Sequence, residues 1–206
     1  MDKKTELRSF DFEIRAEENE DHGHILTGRP IVYDARTDLG WYDEIIEAGA
    51  LADTDLRDVR FLVNHNTDMI PLARSRNNNE NSTMQMSIDD EGMTIRVDLD
   101  VENNAEAKNL YSAVSRGDID GMSFMFNVDG DRWEDQESEH PTRTITAISR
   151  VLEVSAVTFP AYKQTSIQAR GLDSALDNAK SSLESARAEA RAIERKKQKI
   201  RILSEV

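Results

Sequence analysis

The sequence predicts an α+β fold: mainly antiparallel strands, one amphipathic helix among them, and one long helix at the end. Three observations predict it. Many short segments alternate apolar and polar residues between Gly, Pro or Asn punctuation, a single stretch around 107–114 has helical period, and a heptad seam begins at Leu172. The 206 residues suit one domain with an appendage. The expected division is a flexible N-terminal arm over 1–9, a body over 10–170 and a charged terminal helix over 171–206.

In chain order, Phe10-Asp11-Phe12-Glu13-Ile14 alternates as a half-buried strand does. Gly28 to Tyr33 and Trp41 to Ile46 each read as strands after Gly/Pro or Gly punctuation, and Ala48 to Leu56 as a short helix. Val59, Phe61, Val63 and His65 share one phase of a further strand, so His65 ends an apolar stripe. Residues 74–82, with three successive asparagines, form a polar loop. Met84 to Ile88 and Met93 to Leu99 alternate on either side of Asp89-Asp90-Glu91-Gly92, which predicts a hairpin. Ala107, Leu110, Tyr111 and Val114 then fall on one helical face, with Asn104 placed to cap the start and Gly117 to end it.

That helix leads into Gly121 to Val128, a strand with Met122, Phe124 and Phe126 in one phase and Ser123, Met125 and Asn127 in the other. An acidic loop follows over 129–139. It lacks the Gly and Glu that a calcium loop requires at its sixth and twelfth positions, where Arg132 and Ser138 stand. Thr142 to Ile148 and Val151 to Phe159 are the last strands. From Leu172, the seam positions recur in alternating steps of four and three through Leu176, Ala179, Leu183, Ala186, Ala190, Ile193, Lys197 and Ile200, all apolar or small but for the lysine. The result is one helix of about 45 Å at 1.5 Å per residue. Its alanines and Lys197 make a weak coiled-coil seam, as suited to docking on a partner as to self-association through 172–203.

Composition narrows the chemistry. With no cysteine there are no disulfides, no thiol nucleophile and no thiolate metal site, and four scattered histidines show no HExxH-type spacing. The net charge is −14, and since residues 171–206 carry about +2, the body is near −16 and would repel nucleic-acid phosphate. No apolar run approaches the roughly 18 residues of a membrane span, and the polar start lacks a signal-peptide core, so an intracellular protein is expected.

Three polar residues occupy strand positions that otherwise hold apolar ones: His65, Ser123 and Glu153. Each alone has an ordinary explanation as a locally bonded or ion-paired residue. Together they supply a nucleophile, a general base and an orienting acid. His22, His24 and His140 lie in polar stretches less suited to a rigid site.

The ordered set Gly28-Arg29-Pro30-Ile31-Val32-Tyr33, Glu47-Ala48-Gly49-Ala50-Leu51, Phe61-Leu62-Val63-Asn64-His65-Asn66, Asp90-Glu91-Gly92-Met93, Ser115-Arg116-Gly117-Asp118-Ile119, Gly121-Met122-Ser123-Phe124-Met125-Phe126 and Leu152-Glu153-Val154-Ser155 resembles the prohead serine proteases of tailed bacteriophages. The resemblance covers about residues 10–170. It implies a herpesvirus protease-like fold, a β-barrel of about seven strands with surrounding helices. It also implies His65 as base, Ser123 as nucleophile and Glu153 as the acid. Two positions depart from the pattern: Ala73 stands where many relatives have glycine in Leu-Gly-Arg, and Met125 where many have glycine in Ser-x-Gly-Phe.

The function implied is an endopeptidase without cofactor or metal, working in the host cytoplasm inside an assembling procapsid. Its substrates would be the scaffold-like part of the major capsid protein and the protease itself. The alternative is a non-catalytic scaffolding protein on the same fold, acting through the C-terminal helix.

Overall fold

The computed structural model describes residues 5–10, 14–19, 23–158 and 169–204. Among them are eleven strands and two helices, arranged in two sheets. The first sheet has seven strands: β1 (Thr5–Phe10), β4 (Thr37–Asp38), β5 (Asp43–Ile46), β6 (Asp58–Val63), β7 (Ala73–Arg76), β10 (Gly121–Glu134) and β11 (Thr142–Val157). The second has four, in the order β2 (Ile14–Asn19), β3 (Gly23–Val32), β9 (Gly92–Leu99) and β8 (Met84–Asp89).

β11 organises the larger sheet. One of its edges pairs antiparallel with β10 over nearly its whole length. The other edge holds two short strands end to end, both parallel: β5 beside Thr142 to Ile145 and β6 beside Glu153 to Ala156. A 16-residue strand has room for both. The ladder therefore branches at β11, and among the described residues the strands form two sheets rather than the single barrel of about seven strands that the family resemblance implied. One core spans both sheets, with Leu26, Ile31, Met84, Met93 and Val97 packed with Phe61, Phe124, Phe126, Val154 and Ala156.

Several segments differ from the sequence reading for local reasons. Residues 5–10 form β1, paired with β10, and are no loose arm: Leu7 and Arg8 are buried. The expected strand over 10–14 falls across residues 11–13, outside the described set; Phe10 ends β1 and Ile14 begins β2 on the other sheet. Residues 48–53 make successive turns, not a helix, because Gly49 has φ +87° and breaks the right-handed run. The polar loop contains β7, which pairs with β6. The segments on either side of Ser149 are one strand, and β10 runs on into the acidic stretch as far as Glu134.

The hairpin and the first helix are as read. β8 and β9 pair from Met84↔Val97 to Asp89↔Gly92. Helix α1 (Ala105–Ser115) buries Ala107, Leu110 and Val114, and the Asn104 side chain accepts from the amides of Glu106 and Ala107.

Helix α2 (Ala169–Ser204) uses only the first half of its seam against the body. Ala175, Ala179 and Leu183 are buried, with Ala179 and Leu183 packed against Tyr42 and Trp133. Trp133 donates from its indole nitrogen to Ser182 at 3.0 Å, and Arg187 bonds the carbonyl of Gln136. From residue 188 to 201 the helix is solvent-exposed, and Ile193 and Ile200 stand open at 54% and 67%.

Candidate active site

Two of the three residues singled out in the sequence lie on one sheet, and the third follows one of its strands. Ser123 (β10) is directly opposite Ser155 (β11), and Met125 is opposite Glu153, so these four side chains share a face. The other face carries Phe124, Val154 and Ala156 into the core. β6 runs beside β11 with Leu62↔Ser155 and Val63↔Ala156, then turns.

His65 lies in that turn. Asn64 and His65 both adopt left-handed backbone, φ +51° and +55°. This conformation costs a non-glycine residue on the order of 1 kcal/mol and persists where surrounding bonds over-determine it. Here they do: the Asn64 amide donates to Ala156 O at 2.9 Å, the Thr158 amide donates to Asn64 Oδ1 at 2.9 Å, and the His65 amide donates to Ser155 Oγ at 3.2 Å.

The turn folds the imidazole back over β11. His65 Nδ1 and Glu153 Oε1 are 2.6 Å apart, and the second carboxylate oxygen, Oε2, accepts from Ser155 Oγ at 2.6 Å. Both groups are shielded, with 13% of the His65 side chain and 4% of the Glu153 side chain exposed. A carboxylate on a central strand demands donors, and Glu153 has one for each oxygen. With Nδ1 committed to the carboxylate, Nε2 is the free base nitrogen; it is buried and has no hydrogen-bond partner among the described residues. An orphaned buried nitrogen is costly in a merely structural histidine and is what a general base awaiting a substrate proton looks like.

Ser123 is fully buried, and its hydroxyl donates to the carbonyl of Arg8 on β1 at 2.6 Å. Hence the strand that follows the chain's first residues lies along the nucleophile candidate.

The other face of β1 carries a second polar cluster, which the sequence reading missed. Arg8 pairs with Glu44 through Nε and, at 2.7 Å, through Nη2, and it reaches Glu6 at 2.6 Å. Arg143 in turn bonds Glu6 at 2.8 and 3.1 Å, Glu44 at 3.2 Å and Asp131 at 2.6 Å. Burial works against the charged forms of Glu6, Arg8 and Arg143, but the opposite charges outweigh it. They hold the Glu6 carboxyl below its ordinary value and both guanidinium groups above theirs. The available signal was the Glu-x-Arg alternation at residues 6 and 8, matched by Glu44 and Arg143 at strand positions elsewhere. Ser155 was missed too, although it stands two residues from Glu153 and so on the same face.

Asp38, Asp43 and His140 could each offer a ligand atom to a cation, within 4.8 Å of one another. They lie near the surface, and Asp43 already pairs with Arg36 and His140.

The family model described as caudovirus prohead serine protease matches residues 10–180. The chain belongs to that family. It is therefore a serine protease of phage prohead maturation, and its action is on procapsid proteins. No curated protein gives a significant sequence match. Among solved structures, the bacteriophage T4 capsid assembly protease, gp21, is similar at 11% identity over 74% of this chain and 98% of that one, with a TM-score of 0.38. That likeness is too loose to transfer residue roles. No helix among the described residues is long and apolar enough to cross a membrane.

Proposed function

We propose that Ser123, His65 and Glu153 are the nucleophile, general base and orienting acid of this prohead protease. The observation that carries the reading is the Glu153–His65 pair, which leaves Nε2 buried and without a partner on the face that Ser123 shares. Glu153 holds the imidazole with its proton on Nδ1 and stabilises the cation that forms when Nε2 takes a proton. Ser123 Oγ attacks a peptide carbonyl, Nε2 receives the hydroxyl proton and passes it to the leaving amine, and water reverses the sequence on the acyl-enzyme. Ser155 positions Glu153 and the His65 backbone without touching substrate.

The substrates under this reading are the scaffold-like part of the major capsid protein and the protease itself, cut inside the procapsid in the host cytoplasm. The body over 10–170 does the chemistry. The exposed half of α2, bearing Ile193 and Ile200, is the docking element for the procapsid interior or a second copy.

The test is co-expression with the capsid protein encoded beside it, reading intact masses of both chains. The wild type is expected to shorten the capsid protein, and Ser123→Ala and His65→Ala to leave it whole. Cleavage that survives Ser123→Ala removes the assignment.

A further inference from the structure

A protease presents an extended peptide to its nucleophile, and an open sheet edge beside that nucleophile is a ready site for such a strand. In this chain β1 lies on that edge, antiparallel to β10, in the register Arg8↔Phe124 and Ser9↔Ser123. The carbonyl that meets the Ser123 hydroxyl is that of Arg8. Being one residue out of phase with Ser123, Arg8 sends its side chain to the opposite face of the sheet.

There the guanidinium enters a built seat. Glu44 binds it through both carboxylate oxygens, the Tyr42 hydroxyl lies 3.5 Å away, and the Phe126 ring stands 5.7 Å beneath it. A bidentate carboxylate and an aromatic face suit a planar cation. For stability alone, apolar residues of similar volume would serve as well or better than buried charges. The charge count fits an exchangeable occupant. When β1 leaves, Glu6 and Arg8 depart as a neutral pair, and Glu44 and Asp131 remain around Arg143, one negative charge in excess.

Resting on the Ser123 assignment, we propose that Glu44 is the specificity-determining residue of this protease. It selects an arginine at the acyl side of the cleaved bond, and Arg8–Ser9 is a bond that the enzyme cuts in its own chain. The Ser123 proton, which now faces the Arg8 carbonyl oxygen, turns to His65 Nε2 as Oγ bonds the carbonyl carbon. The bond to the Ser9 nitrogen then breaks, and that nitrogen takes the proton from His65 to become a new amino terminus. Water, losing a proton to His65, opens the Ser123 ester; residues 1–8 leave with the Arg8 carboxylate, and the proton returns to Ser123.

The test maps every new amino terminus when the full chain is co-expressed with the capsid protein. It then assays the processed enzyme on a peptide of residues 3–14 and on its Arg8→Lys, Arg8→Ala and Arg8→Glu versions. Expected are a new terminus at Ser9, capsid-protein cuts after arginine or lysine, and kcat/KM at least ~100-fold lower for Arg8→Ala than for arginine, as when a site's charged partner is left unpaired. Arg8→Glu falls further, and Glu44→Gln in the enzyme narrows the gap between the arginine and alanine peptides at least ~10-fold. Cuts after uncharged or acidic residues, or equal cleavage of the arginine and glutamate peptides, overturn this inference and leave Ser123 as nucleophile. A wild type that cuts nothing, like Ser123→Ala, overturns both.

Discussion

Two polar clusters lie on opposite faces of the same sheet and differ in one respect. Around Arg8 and Arg143 every charge has a partner of opposite sign, and the network closes on itself. Around His65 two donors, the Ser155 hydroxyl and the His65 Nδ1–H, converge on Glu153, and the far side of the imidazole ends in a buried nitrogen that has nothing to bond among the described residues. A closed network holds structure in place. An open one is poised for chemistry, because the missing partner is the group that reacts. Substitutions at the His65 site and at Arg143 should therefore separate rate from stability.

The largest separation is expected at Ser123. Ser123→Ala should lower cleavage by about 10⁴-fold or more while costing only about 1 kcal/mol, the worth of one hydroxyl–carbonyl bond. Capsid-protein cleavage read beside urea denaturation checks both numbers. Glu153→Gln comes next: it should cost roughly 10³- to 10⁴-fold by leaving the imidazole in the wrong tautomer, without unfolding the chain. Ser155→Ala, acting through Glu153, should give a smaller loss together with a displaced pH–rate profile, which a purely structural role would not move.

On the opposite face the order reverses. Arg143→Ala leaves Glu6, Glu44 and Asp131 without their shared cation and should destabilise by about 3–5 kcal/mol in urea titration. Acid should act more gently on the same cluster. The folded-state value of the Glu6 carboxyl is depressed below its ordinary 4.5, so the native state binds fewer protons than the unfolded one in that range. Its contribution to stability is present above pH 4.5 and is lost as pH falls through the depressed value. Denaturation midpoints measured from pH 6 to 3 should fall, and less steeply in Glu6→Gln. The smallest effect is expected from removing residues 191–206, of which 191–201 are exposed: the melting temperature should stay within a few degrees.

How far the sequence disclosed this contrast depended on what sets each element. The 84–99 hairpin and α1 were legible because turn residues, alternation and a capping asparagine act within a few positions. The three candidate residues stood out one by one in the sequence, since a serine and a glutamate interrupt apolar strands and a histidine ends an apolar stripe. Ser155 was hidden because a serine two places from the acid looks like strand filler until Glu153 is known to need a second donor. The charge cluster was hidden more deeply, because Glu6, Arg8, Glu44 and Arg143 come from three distant segments that only the β1–β10–β11–β5 order brings together. The same order turned an apparently loose N-terminal arm into a strand. The helix expected over 48–56 failed at Gly49, whose left-handed backbone a propensity argument does not see.

The most direct test of the central claim is to treat the active enzyme, after its own processing, with a fluorophosphonate and locate the adduct by peptide mass. Two serines flank Glu153 on this face, and only one can be the nucleophile. The account predicts a single adduct on Ser123 that disappears in His65→Ala. An adduct on Ser155, or labelling of Ser123 that is indifferent to His65, would contradict it.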